Sequence, residues 1–342
     1  MRILKKASWL VALGLMVSIS GKAQTDITEL LKLYQQASKE VNSLAYAYMK
    51  PFGEEFGKTL NTGWYTSAKP HKLGGFDITF SATVIPISSS MKQYDAGEIL
   101  KGSSVLRIKQ GDSPITPTVL GKDVEGPTVE LIEPNTKIVL SSMKLPQGAN
   151  LPIIPMANYN IGIGLPFHTD VAFRFVPKIN IKDDGKFGMW GFGIRNEFKE
   201  FIPVFKLLPF SMSAFFGMTK YNLSWDMKDN SYADKKYNNQ ELSTDATSYT
   251  ARLLVSKSIP VLTVYGGLGY NSNSSNYKLK GAYQYNGIAI NNSQDPFNLD
   301  YTSTGFVANA GFRVKLAVFM LFADYTYANT SMYTAGMGFT FR

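Results

Sequence analysis

Residues 76–87 read FDITFSATVIPI, with Phe76, Ile78, Phe80, Ala82 and Val84 on one side and Asp77, Thr79, Ser81 and Thr83 on the other. Alternation sustained this long is the mark of a β-strand with one apolar and one polar face, since successive strand side chains point to opposite sides. The pattern returns at 156–165, 170–181, 186–197, 209–226, 247–258, 261–272, 303–315, 318–328 and 331–342. In the clearest of these, Phe306, Ala308, Ala310, Phe312 and Val314 oppose Asn309, Gly311, Arg313 and Lys315. Ten two-faced strands must hide one face from its wrong solvent. A soluble barrel turns the apolar face inward and a membrane barrel turns it outward, and periodicity is blind to the difference.

Other features favour the outward arrangement. The strands run to about ten residues, the length of a tilted membrane-crossing strand. Tyr159, Trp190, Tyr325, Tyr327 and Phe341 sit on apolar faces near strand ends, where interfacial aromatic girdles belong. The opposite faces carry Gly, Ser, Thr, Asn and scattered Arg, which suits a wet or hydrogen-bonded lumen. The closing TAGMGFTF places Thr334, Gly336, Phe339 and Phe341 at the spacing polar-x-Gly-x-x-aromatic-x-aromatic. That spacing resembles the C-terminal signal read by the bacterial barrel assembly machinery, with Arg342 as one extra residue.

The amino terminus supplies an export route. MRILKKASWLVALGLMVSISGKAQ has a basic head at Arg2, Lys5 and Lys6, an apolar core from Ala7 to Ser20, and small residues at Gly21 and Ala23. This is the three-part pattern of a cleaved signal peptide, and its core is shorter than the roughly 20 residues of a bilayer-spanning helix. Cysteine is absent, which excludes disulfides, thiolate metal sites and a lipoprotein anchor. Without the leader, 31 of the 35 Lys and Arg remain against 26 Asp and Glu, too mild an excess to argue for nucleic acid.

Between leader and strands, residues 26–50 have a capping-box-like start at Asp26 and Glu29. Ile27, Leu30, Leu31, Tyr34, Ala37, Val41, Leu44 and Tyr48 follow at the helical period, and Pro51 and Gly53 are expected to close the helix. The connections between strands fall into two alternating sets. One is tight, as at PFHT and SIP, apart from FKEFIPVFKLLP. The other includes the long excursion at about 88–153 and the polar stretches at 227–246 and 271–301, with two short members near 183–185 and 329–330. Short turns at one end and longer loops at the other describe an outer-membrane barrel. The expected fold is therefore an all-β transmembrane antiparallel β-barrel of 10–14 strands, with ten or twelve favoured, preceded by an N-terminal amphipathic helix. The expected divisions are 1–23 signal peptide, 24–72 helix and plug-like or periplasmic segment, and 73–342 barrel.

Several stretches carry a family resemblance: YMKPFGEEFGKTLNTGWYTSAKPHKLGGFDIT, LPIIPMANYNIGIGLPFHTDVAFRFVPKI, WGFGIRNEFKEFIPVFKLLPFSMSAFFGMT and GFRVKLAVFMLFADYTYANTSMYTAGMGFTFR. They resemble a Bacteroidota-type family of outer-membrane barrels of unassigned function, and the resemblance covers most of the mature chain. It implies a helical segment ahead of a barrel. A more distant likeness is to FadL-type transporter barrels, which also place N-terminal residues in the lumen. No ligand-binding residue of theirs matches here.

The chemistry-bearing residues are few. His71 and His168 are the only histidines, too far apart in sequence to define a metal site, and no local motif supplies a nucleophile with its base. The reading is not an enzyme, with no cofactor and no metal. Arg174, Arg195, Arg252, Arg313 and Lys315 fall on inward faces, as do Asp77, Asp170 and Asp324. The basic set reads either as a ring favouring anions or as a network paired with those aspartates, the commoner fate of charges inside a small barrel. The first functional reading is a passive outer-membrane channel or transporter for small molecules, including hydrophobic or lipid-like ones. The second is a structural or surface-interaction barrel without an open pore, whose long polar loops do the work. The third, ranked last, is a barrel enzyme. A barrel near the lower size limit is largely filled by side chains, which limits an open pore. Partners then comprise outer-membrane lipid and the assembly machinery. A plug or periplasmic lid is the expected role of the helix.

Overall fold

A computed structural model describes residues 23–181, 185–226, 238–285, 288–290 and 297–341; residues 1–22 of the expected leader lie outside them. Helix α1 (Ala23–Thr59) leads into β1 (Phe76–Pro86). An excursion then carries β2 (Gln93–Asp95), α2 (Ala96–Leu100), β3 (Leu106–Ile108), β4 (Ile115–Pro117), β5 (Thr128–Ile132) and β6 (Val139–Lys144). After it come β7 (Ile153–Leu165), β8 (Thr169–Ile181), β9 (Gly185–Asn196), a short α3 (Pro203–Lys206), β10 (Ser211–Asp226) and β11 (Asn238–Ser258). The chain ends with β12 (Leu262–Tyr285), β13 (Ile288–Ile290), β14 (Phe297–Leu316), β15 (Phe319–Tyr327) and β16 (Ser331–Phe341).

Ten of these strands close into one antiparallel barrel. The order is β11-β10-β9-β8-β7-β1-β16-β15-β14-β12, and β12 pairs back on β11. First and last strands meet from Phe76↔Phe341 to Val84↔Tyr333, so closure leaves neither with a free edge along that ladder. The short β13 extends the β12 hairpin alone.

The wall sorts its faces as the alternation requires. Phe76, Ile78, Ile161, Ile163, Phe173, Trp190, Val264, Leu268, Phe306 and Phe312 are exposed on the outside. Thr79, Ser81, Thr83, Asn158, Asn160, Thr219, Ser248 and Thr250 are buried on the inside. On β12 the outer face is apolar from Leu262 to Tyr270 and polar from Ser272 upward; on β14 it is apolar from Val314 to Phe306 and polar from Thr304 onward. The apolar part is thus a belt beside the tight turns, as expected of a band about 25 Å tall facing hydrocarbon.

Above the belt the wall is uneven. β11, β12 and β14 have 21, 24 and 20 residues, whereas β15 and β16 have 9 and 11. Much of the polar sequence at 238–246 and 271–301, expected as loop, is therefore strand. Beyond the belt the polarity of the two faces inverts: Tyr277, Leu279, Phe297, Leu299 and Tyr301 turn inward against α1 and the head, while Asn298, Asp300 and Thr302 face outward.

On the low side stands a small head built from the excursion. β2 pairs with β4, and β3-β5-β6 form a three-stranded sheet. Asp95 caps α2 by accepting a hydrogen bond from the Glu98 N–H at 3.0 Å. Ala37, Val41 and Leu44 of α1 share one apolar core with Leu100, Leu106, Val129 and Leu131 of the head and with Leu279 and Phe297 of the tall wall.

One seam of the barrel is incomplete. β7 and β8 pair only from Asn160↔Arg174 to Leu165↔Thr169. Above that point β7 follows β1 to Ile153 and β8 follows β9 to Ile181, with a bulge between Val176 and Ile179, and no ladder joins these described residues. Pro155 and Pro177 occupy the two parted stretches. Proline has no N–H to leave unbonded, so it belongs where pairing stops.

A charge on the belt tests this sorting. Leu268, 68% exposed at mid-belt, should on Leu268→Arg lose roughly 2–4 kcal/mol of stability in lipid vesicles. Thr302→Arg, on the same outer face above the belt, should change it little; denaturant titration of the refolded protein distinguishes the two.

Candidate functional site

The lumen is occupied by the chain's own residues 45–71. α1 passes Pro51 and continues to Thr59, a correction to the expected stop. A proline inside a helix sacrifices one internal hydrogen bond, and here the wall holds the helix on both sides of it. Tyr46 stacks on Tyr301 with ring centroids 4.6 Å apart, and the Tyr301 hydroxyl donates to the Tyr46 carbonyl at 3.0 Å. Gly53 and Gly57 lie so close to the wall that an added Cβ would come within 2.5 Å of the Tyr301 ring and 3.0 Å of Asn273. They serve close approach rather than termination. The helix unwinds through the tighter turns Leu60 N–H to Gly57 and Thr62 N–H to Thr59, and stops at Gly63, whose φ of 67° suits a glycine cap.

The descent keeps step with the wall. Along β10, Tyr221 packs edge-on to Phe56 (5.0 Å), the Thr219 hydroxyl donates to the Leu60 carbonyl (3.0 Å), Phe215 meets Trp64 (5.9 Å) and the Ser213 hydroxyl donates to the Ala68 carbonyl. Four helical residues rise about 6 Å, and two strand residues rise about 6.6 Å. The helical step from Phe56 to Leu60 therefore matches the two-residue step from Tyr221 to Thr219, and the extended step from Leu60 to Trp64 covers four wall residues, from Thr219 to Phe215. The indole of Trp64 lies over Gly191, Gly193 and Gly217, where added Cβ atoms would fall 3.0, 3.2 and 3.2 Å from it.

Once the helix ends, its backbone needs new partners, and the wall arginines provide them. Arg174, 1% exposed, donates to the carbonyls of Leu60 and Thr62 at 2.7 Å each and to Asn160 Oδ1 at 2.9 Å, with its guanidinium 4.0 Å from the Trp64 ring centre. Arg252 donates to the Asn61 carbonyl (2.9 Å), the Tyr65 hydroxyl (3.1 Å) and Asn309 Oδ1 (3.2 Å). Arg195 donates to the Ser67 carbonyl and to the Asp170 carboxylate. Arg313 donates to Thr66 Oγ1 (3.2 Å) and Thr263 Oγ1 (3.1 Å).

The expected pairing of arginines with aspartates is thus met by Arg195 and Asp170, whereas Arg174 and Arg252 bond the plug backbone instead. The other aspartates have their own partners. Asp77 Oδ2 lies 3.2 Å from His71 Nε2, and Asp170 Oδ2 lies 2.9 Å from His71 Nδ1, so one imidazole bridges two wall carboxylates. Asp324 accepts from Asn309 Nδ2 (2.7 Å) and Thr326 Oγ1 (2.6 Å). Lys315 is half-buried on the inward face beside the turns. In the last strand Thr334 is buried, its hydroxyl 2.9 Å from that of Thr83, and Gly336 faces inward against Phe322. Phe339 and Phe341 are exposed outside, with Phe341 stacked on Phe76 at 4.7 Å.

Between plug and wall, toward the turns, lies a cavity of about 30 Å³ lined in part by Trp64, His71, Asp77, Asp170 and Arg195. That is room for a water or two, not for an organic solute. Among the described residues no group of His, Cys, Asp and Glu could hold a metal ion. His168 sits in the β7–β8 turn with φ of 54°, its ring 6.3 Å from Phe201.

Removing one partner of the buried ion pair should cost more than removing both. Arg195→Met leaves Asp170 without its guanidinium, an expected loss of roughly 3–5 kcal/mol. Adding Asp170→Asn should recover part of it. Unfolding titrations of the two single variants and the double in vesicles give the coupling energy.

Comparison with known proteins follows the fold. No curated protein matches the chain in sequence. Among solved structures it is similar to Ail, the attachment invasion locus protein of Yersinia pestis, crystallised with the heparin analogue sucrose octasulfate (8% identity, 79% of this chain and 100% of that one, TM-score 0.27). It is also similar to the translocator domain of the autotransporter NalP from Neisseria meningitidis (14% identity, 87% and 96%, TM-score 0.29). A third is a Pseudomonas aeruginosa FadL homologue (8% identity, 78% and 88%, TM-score 0.19). A family model described as "Family of unknown function (DUF6588)" matches residues 1–341, and the chain belongs to that family.

Proposed function

We propose that this protein is an outer-membrane barrel held shut by its own N-terminal segment, working as an anchor that presents the excursion head for interactions at the long-connection face. The observation that carries this reading is the packing of residues 45–71 in the lumen, bonded to the wall from Tyr301 near one end to Asp170 near the other. A lumen filled along its length does not pass solutes by simple diffusion. The export leader and the Thr334–Phe341 strand support delivery to the outer membrane and insertion by the assembly machinery.

A second reading is passive transport of small hydrophobic molecules. The seam above Asn160 and Arg174 favours it, because unpaired backbone at membrane depth is tolerated only where protein or a cavity covers it. Behind the seam lie Ile154, Met156 and Met189, all buried in one apolar cluster. Passage there would be sideways from the bilayer and would leave the plug seated.

Planar bilayers separate these from an open pore. The mature protein should show no steady conductance, and a steady open level would defeat the closed reading. Gly53→Leu with Gly57→Leu should unseat the helix while leaving Arg174, Arg195, Arg252 and Arg313 in the wall. The expected result is a conductance with anion preference, read from the reversal potential in a salt gradient.

A further inference from the structure

We infer that the chain crosses the outer membrane inside its own barrel, so that the Ala37–Leu44 part of α1 stands on the cell surface as part of the head while the stretch before β1 emerges on the periplasmic side. This rests on the barrel's residence in the outer membrane, and not on whether the lumen passes solutes.

The path is fixed at both ends and in between. At the long-connection end, Val41 and Leu44 are buried against Leu100, Leu106 and Val129 of the head, and the Tyr48 hydroxyl donates to the Gln147 carbonyl at 2.9 Å. The Val119 N–H donates to the Tyr48 carbonyl at 3.0 Å. Contacts along β14 then run one way, through Tyr301 at Gly53, Asn309 at Tyr65 and Arg313 at Thr66. Along β11 they run through Ser248 at Gly57, Arg252 at Asn61 and Ser256 at Ala68. At the turn end, the Gly74 N–H donates to the Gly164 carbonyl (3.1 Å) and the Gly164 N–H donates to the Gly75 carbonyl (2.8 Å), one residue from β1. No step doubles back. Whatever side holds the head therefore also holds Ala37 to Leu44.

Three observations name that side. The apolar belt lies beside the turns at 166–168 and 259–261, while the polar extensions of β11, β12 and β14 and the whole head project from the other end. Barrels of this class keep short turns in the periplasm and long connections outside. β16 also ends at the turn side, with Phe339 and Phe341 at the foot of the belt. The resulting surface is composite. The α1 segment at Ala37–Leu44 is as much a core element of the head as β5, so a partner meets helix and excursion as one folded unit.

The absence of cysteine makes the test direct. Single variants Ser38→Cys on exposed α1, Val124→Cys on the head (57% exposed) and Leu73→Cys beside the exit (73% exposed) are made in the full chain. Cells are treated with a membrane-impermeant biotin maleimide, intact or after permeabilising the outer membrane, and folding is checked by heat-modifiable migration. The expected result is labelling of the Ser38→Cys and Val124→Cys variants on intact cells, and of the Leu73→Cys variant only after permeabilisation. Labelling of the Val124→Cys variant but not the Ser38→Cys variant on intact cells would overturn the crossing. Labelling of the Leu73→Cys variant alone, or of none of the three until permeabilisation, would overturn the orientation. Lys39→Cys repeats the measurement from the same exposed turn should Ser38→Cys fail to fold. Conductance is read separately, so an open pore with a surface-labelled α1 would defeat the closed reading and leave this one standing.

Discussion

The structure depends on backbone carbonyls finding donors inside a closed wall. A helix satisfies its own backbone until it ends, and this one ends in the middle of the barrel, with the carbonyls of Leu60, Asn61 and Thr62 pointing at the wall. A buried acceptor without a donor costs about 1–3 kcal/mol. Guanidinium groups answer this need better than hydroxyls because one side chain reaches two or three acceptors in fixed geometry. Arg174 uses that capacity on Leu60, Thr62 and Asn160 together. Burying such a cation unpaired would be expensive; here carbonyl dipoles and the Trp64 ring surround the charge.

The same constraint explains the composition of the inner wall. Small hydroxyl and amide side chains at Thr79, Ser81, Thr83, Asn158 and Asn160 leave room for the plug and offer donors at many heights. Larger apolar residues appear inward where the helix still satisfies itself, as at Ile85, Ile154, Met156, Met189 and Tyr221, which pack with Phe56 and Leu60. Beside the helix these apolar residues stand among Ser248, Asn273 and Ser275, and beside the extended segment the wall brings in Arg174, Arg195 and Arg252. Which inner residue stands at which height follows from where the plug stops being helical.

This division also marks how far the sequence could be read. The ten belt strands were legible because lipid and plug impose opposite polarity on their two faces, and period two survives in every one. The inward set Asp77, Asp170, Arg174, Arg195, Arg252, Arg313, Lys315 and Asp324 follows from the same parity. Their partners did not, because the acceptors are mostly backbone atoms of Leu60 to Ser67, and a carbonyl leaves no mark in a sequence. Of the expected carboxylate partners, Asp170 stands beside Arg195, whereas Asp77 and Asp324 bond His71 and Asn309. The signal that was present lay in the glycines. Gly53 and Gly57 stand four apart on one helical face, and Gly191, Gly193 and Gly217 stand on inward strand positions, which together describe a flat plug surface meeting a flat wall. Read as a helix stop, Gly53 hid this. The upper strands were hidden because their parity inverts above the belt, where Tyr277, Leu279, Phe297, Leu299 and Tyr301 turn inward and the outward residues are polar.

Closure and plugging are joined by the order of the chain. The plug runs directly into β1, and β1 is the strand on which β16 closes. His71 ties the lead-in to Asp77 of β1 and Asp170 of β8, strands on either side of β7. The segment is thus tied to the wall at its lower end and to the head at its upper end. Docking of this segment while the wall is still open would give the lumen its contents before β16 completes it. The buried arginines then need no passage through a stage in which they face an empty, closed interior, and the polar inner faces of the strands have partners while they assemble. On this account the plug is the template on which the inner wall is satisfied, and the seam between β7 and β8, the least complete ladder, is where the wall has most freedom to adjust around it.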